Sequence, residues 1–126
     1  MELALPCPCC GYRTMKGAPG SYAICPVCWW EDDILQLRWP QLASGANKVS
    51  LIEGQRNFAH TGACTGLPLG VELADPNNHD REPHWRPIDL RRDTFEPTLC
   101  QLAPWPDDLT VLYWWRYRDA GAWRRR

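Results

Sequence analysis

Four of the chain's seven cysteines fall into two C-x₂-C pairs, Cys7 with Cys10 and Cys25 with Cys28, fourteen residues apart. Two cysteines three positions apart on a tight turn point both sulfurs to one side, and the turn's backbone N–H groups stabilise their charge. Two such knuckles facing each other supply four thiolates in a tetrahedron, the donor set of a closed structural zinc site. Cys7, Cys10, Cys25 and Cys28 are therefore the expected ligands of one structural Zn²⁺. Pro8 and Pro26 pre-set the turns, and Gly11 stands where a knuckle often needs positive φ. A disulfide framework fits poorly, because Cys9 and Cys10 are adjacent and the total is odd. Cys9, lodged between two ligands, is expected to point away from the metal. Turn N–H groups that lowered its pKa would open a thiol or redox role. Cys64 and Cys100 read as small buried hydrophobes.

The elements that must position these sulfurs are short. Twelve prolines and nine glycines in 126 residues call for many turns, and 44% hydrophobic content permits one small core. Gly17, Pro19 and Gly20 mark the turn between the knuckles, and Tyr22-Ala23-Ile24 reads as a short strand entering the second. Tyr12, Tyr22, Trp29 and Trp30 are the aromatic cover expected over the site. Residues 34–48 look irregular, with Trp39-Pro40 and Ser44-Gly45 breaking any period. Ser50-Leu51-Ile52-Glu53 is a capping box, and it predicts a helix over about 51–60 with Leu51, Ile52, Gln55 and Phe58 on its buried side and Gly62 as its stop. His60 near its end is expected to be partly exposed, favoured there by the helix dipole.

The second half is rich in proline and tryptophan. Asp75 to Asp80 reads as loop, residues 88–92 as a short strand or helical turn, and Leu109 to Trp115 as the best strand of the chain. His79 and His84 read as loop residues. The fold class expected is small α+β: a zinc ribbon over residues 1–62 with one capped helix, and an extension over 63–126 adding at least one strand. The extension either stands apart or packs on the first half as one domain.

Several motifs together resemble the bacterial cysteine-rich CPCC family: Cys7-Pro8-Cys9-Cys10-Gly11-Tyr12, Ile24-Cys25-Pro26-Val27-Cys28, Trp30-Glu31-Asp32-Asp33, Gly45-Ala46-Asn47, Ser50-Leu51 and Gln55-Arg56-Asn57-Phe58. The likeness covers roughly the first half and departs at Ser44, where a glycine commonly stands. It implies a small zinc-ribbon-like protein and no established reaction. Family members are similar in style to small proteins encoded beside bacterial toxins, some of which act as immunity proteins.

Charge narrows the partner. Fourteen basic and fifteen acidic residues leave a formal net charge of −1. Zn²⁺ on four thiolates would take this to about −3, so nothing global attracts nucleic acid or an anionic membrane. The N-terminus has no basic n-region of a signal peptide, and no apolar run reaches the ~18 residues of a span; a cytoplasmic location is expected. No nucleophile–base–orienter set is visible, so an enzyme is not the expectation. The reading that follows is a zinc-stabilised protein-binding module, most concretely an immunity protein that neutralises a cognate toxin. Glu31, Asp32 and Asp33 would form its acidic face, with Trp30, Trp114 and Trp115 as anchors. The runner-up is a zinc-ribbon nucleic-acid binder that uses Arg116, Arg118 and Arg124 to Arg126 with their interleaved aromatics.

Overall fold

The computed structural model describes residues 4–66 and 70–125. Two strands, β1 (Leu5–Pro6) and β2 (Arg13–Met15), form an antiparallel ribbon that carries the first knuckle at its turn. The second knuckle sits on a similar loop closed by a single bridge between Ile24 and Glu31. The strand expected at Tyr22–Ile24 is thus reduced to one bridge.

Two helices follow. The segment expected to be irregular contains α1 (Ile34–Arg38), started by Asp33, whose carboxylate accepts from the N–H groups of Leu35 and Gln36. Gln36 is wholly buried and accepts from the Asn47 side chain, while its amide N–H groups are shared among the carbonyls of Leu42, Asn47 and Val49. The loop after α1 is therefore ordered without ladder bonds. The second helix, α2 (Leu51–Thr61), starts on Ser50, whose hydroxyl accepts from Glu53 N–H, and ends on left-handed Gly62. It buries Leu51, Ile52 and Gln55 as its spacing predicts.

The extension differs from expectation. Leu109 to Trp115 is not a strand: Leu109–Leu112 and Trp114–Arg116 are 3₁₀ turns, and no strand occurs among the described residues beyond Met15. Leu112, Tyr113 and Trp114 are consecutively buried, which a strand cannot do against one core face, since neighbouring side chains point to opposite sides. The proline-rich backbone is held instead by aspartates. Asp75, Asp89, Asp108 and Asp119 each accept from an N–H two residues on. One cluster of buried side chains runs from the knuckle cysteines through Met15, Leu37 and Leu51 to Leu112, Trp114 and Ala120. No helix is long and apolar enough to cross a membrane among the described residues.

Candidate metal centre

The two knuckles repeat one hydrogen-bond pattern. In the first, Cys7 N–H donates to Tyr12 O and Gly11 N–H to Cys7 O; in the second, Cys25 N–H donates to Trp30 O and Trp29 N–H to Cys25 O, all at 2.7–2.8 Å. The residue after each pair must then be left-handed: Gly11 has φ 82° and Trp29 φ 74°. Gly11 has a second reason to lack a side chain, because a Cβ there would meet the Trp85 ring at 2.7 Å.

This pattern converges the four sulfurs. Cys7 and Cys28 Sγ lie 3.6 Å apart, Cys10 and Cys25 Sγ 3.7 Å apart, and all four fall within 4.8 Å of one another. A tetrahedron around an ion with metal–sulfur bonds of about 2.3 Å has edges of about 3.8 Å, so the donor set fits a metal ion of that size. All four residues are wholly buried. Burial pushes the Cys7 and Cys28 thiols up. Hydrogen bonds from Cys10, Cys28 and Cys7, with a further one from the Thr14 hydroxyl at 3.0 Å, hold Cys25 far below the usual thiol range. The four sulfurs converge in the interior, where only a bound cation would compensate their charge as thiolates.

The surroundings clamp the knuckle carbonyls. In the first knuckle, Pro8 O accepts from Gln55 Nε2 on α2 and from Trp85 Nε1, both at 3.0 Å, and Cys10 O accepts from Arg81 Nε at 2.9 Å. In the second, Cys28 O accepts from Cys64 N–H and Pro26 O from Ala74 N–H, both at 2.8 Å. Gly54 lets α2 approach: a Cβ there would lie 3.2 Å from the Trp30 ring and 3.4 Å from Cys9 Sγ. Residues 5–78 match the family model described as Cysteine-rich CPCC. The chain belongs to that family. No curated protein matches it. The clamp on the CPCC motif is therefore part family and part extension, since Arg81 and Trp85 lie beyond the matched residues.

Of the six residues expected to face a partner, four lie inside. Trp30 and Trp114 are core. Asp32 is buried and its Oδ2 accepts from the N–H groups of Gly20 and Ser21 and from the Ser21 hydroxyl; burial raises its pKa against those bonds. Asp33 caps α1 and also accepts from Ala46 N–H. Carboxylates next to an N–H-rich turn are drawn into it, which is why the acidic triplet is no acidic face. Glu31 and Trp115 are half-buried. The terminal arginines are partly engaged, Arg116 with the Thr110 hydroxyl and Arg125 with Asp119; Arg126 lies outside the described residues.

Other expectations are also revised. Cys9 is wholly buried and burial raises its pKa, the opposite of an activated thiol. Cys64 is buried as expected, but Cys100 is exposed. Trp30 covers the site, whereas Tyr22 and Trp29 are exposed. His60 is exposed, its Nδ1 2.8 Å from Arg56 O, and His84 pairs with Glu82; neither approaches the sulfurs. Thr14, Arg81 and Trp85 are the supports that sequence reading missed, and none carries a local signal. Gln55 was expected on the buried side of α2, but its bond to Pro8 O was not.

Proposed function

We propose that the chain is a protein-binding module stapled by one structural zinc ion. The metal assignment rests on the all-thiolate, wholly buried, tetrahedrally spaced donor set, which suits zinc in a closed structural role. The residues that hold it are Cys7, Cys10, Cys25 and Cys28, and its contribution is to folding.

The observation that carries the binding role is a pair of exposed aromatics in a backbone conformation that favours glycine. Tyr22 (φ 62°, 59% exposed) and Trp29 (φ 74°, 36% exposed) flank the second knuckle. A bulky residue there costs on the order of 1–2 kcal/mol. Tyr22 is little repaid by burial and Trp29 only in part, so both present aromatic surface to something outside the chain. Trp29 and exposed Ile24 line a groove of about 190 Å³ with Ala46 and Val49, shaped for an apolar side chain of a partner. A toxin remains one identity for that partner. The acidic face that favoured a basic toxin does not carry it, with Asp32 and Asp33 internal.

The test is affinity capture from native lysate with wild type, Trp29→Gly and a zinc chelator. The expected result is one nuclease-resistant protein, near stoichiometric with wild type and lost with Trp29→Gly although that variant keeps its zinc and its melting temperature. Equal capture by Trp29→Gly, or recovery of nucleic acid alone, would reject this face as the binding surface. Metal analysis of the purified chain checks the other half: one zinc per chain is expected, and iron or no metal would overturn the assignment.

A further inference from the structure

A cleft of about 520 Å³ opens where the residues beyond the family match close over the β1–β2 ribbon. The ribbon side contributes Leu5, Pro6 and Arg13. The extension contributes Tyr113 and Trp115, whose rings stack 4.4 Å apart at 14°, with Trp114 edge-on to Trp115 at 4.8 Å. This aromatic pair is fixed by a buried neighbour, so the cleft has an ordered aromatic wall as well as an aliphatic one. Sites of this size and apolar character take small ligands, with a few polar groups setting orientation.

Charge then selects the ligand. Glu82 is committed to Arg13 and to His84, whose Nδ1 lies 3.2 Å from Glu82 Oε1. Arg116 is exposed at the rim and donates from Nη1 to Thr110 Oγ1 at 2.6 Å, yet it makes no ion pair among the described residues. A guanidinium held by a hydroxyl keeps most of its donor fork available for a carboxylate. We propose that this cleft binds a small planar aromatic carboxylate, its ring against Trp115 and the aliphatic pair Leu5 and Pro6, its carboxylate on Arg116. A nucleic-acid strand is disfavoured, because it needs a row of cations and of the two arginines lining the cleft Arg13 is paired with Glu82. The site is distinct from the Trp29 groove, so failure of either leaves the other standing.

The probe is 2-naphthoate titrated into the zinc-loaded full chain, followed by the tryptophan indole N–H resonances, with neutral 2-naphthamide as the charge control. Naphthoate is expected to shift the Trp115 resonance and to bind about tenfold more tightly than the amide, the size of one charge-assisted hydrogen bond. Arg116→Gln, at an exposed position, is expected to keep the fold and erase that preference. Trp115→Ala should remove binding of both. Equal affinities in wild type, a preference that survives Arg116→Gln, or shifts confined to other tryptophans would overturn the proposal. So would Arg116-dependent binding of oligothymidylate where naphthoate fails.

Discussion

Arg38 carries a positive charge into the interior with its side chain wholly buried. It donates to both oxygens of Glu96, at 2.6 and 2.8 Å, and to Ala103 O at 2.8 Å. Its Nη1 has no hydrogen-bond partner. Trp105, Trp39 and Trp123 stand 4.5, 5.2 and 5.2 Å from the guanidinium carbon, and their ring faces supply the missing electrostatic partner. Burial pushes the Glu96 carboxyl up, but hydrogen bonds from Arg38 and from Leu102 N–H outweigh it and hold the group below the usual range. A depressed carboxylate contributes stability that is complete above its unfolded pKa, about 4.3, and lost as pH falls through the native one. Glu96→Gln should therefore cost about 3–5 kcal/mol at neutral pH, and the loss should shrink in acid. Urea melts at pH 7 and pH 3, with metal content checked at each, measure both. A loss equal at the two values would show that the charge of Glu96 is not what holds Arg38.

At the scale of elements, helix α2 is both a lid and a wedge, since Gln55 clamps Pro8 O and Gly54 brings the helix onto Trp30. Ser50→Ala removes its cap and should cost about 1 kcal/mol, read as a lower urea midpoint with unchanged metal binding; loss of metal binding would mean that the helix positions the sulfurs more directly than through Pro8. Trp29→Gly runs the other way. It relieves a left-handed tryptophan and should raise stability or leave it level, and a fall of more than about 1 kcal/mol would show that the ring packs where it is drawn as exposed. The knuckles and α2 were legible because their determinants are local: paired cysteines, a serine three before a glutamate, a glycine stop. The short helix α1 was hidden because its cap, Asp33, reads as one member of an exposed acidic run. The 3₁₀ turns at 109–116 were hidden because a seven-residue apolar stretch has the same composition whether it pairs as a strand or is buried by neighbours distant in sequence. Only tertiary packing decides it.

For the whole molecule, the question is whether metal and extension stabilise each other. The knuckle carbonyls of Cys10 and Gly11 accept from Arg81 Nε and Glu82 N–H, and Pro8 O from Trp85. The extension thus closes over the same backbone that carries two of the four sulfurs. Without the metal, burial favours the neutral thiols of Cys7 and Cys28 over their thiolates, so nothing ties the two knuckles together and they should open and release their clamps. Chelation is therefore expected to unfold both halves together, in one urea transition followed alike by far-ultraviolet signal and tryptophan fluorescence. Cys25→Ser should act the same way, because it removes one of the four converging sulfurs. Acid works in the same direction: the ligands must be deprotonated to bind, so protons compete with a metal and its release should rise as pH falls. Two separate transitions after chelation, with fluorescence from the extension persisting, would mean that residues beyond the family match fold on their own core. The shared cluster from Cys7 to Trp114 argues for the single transition.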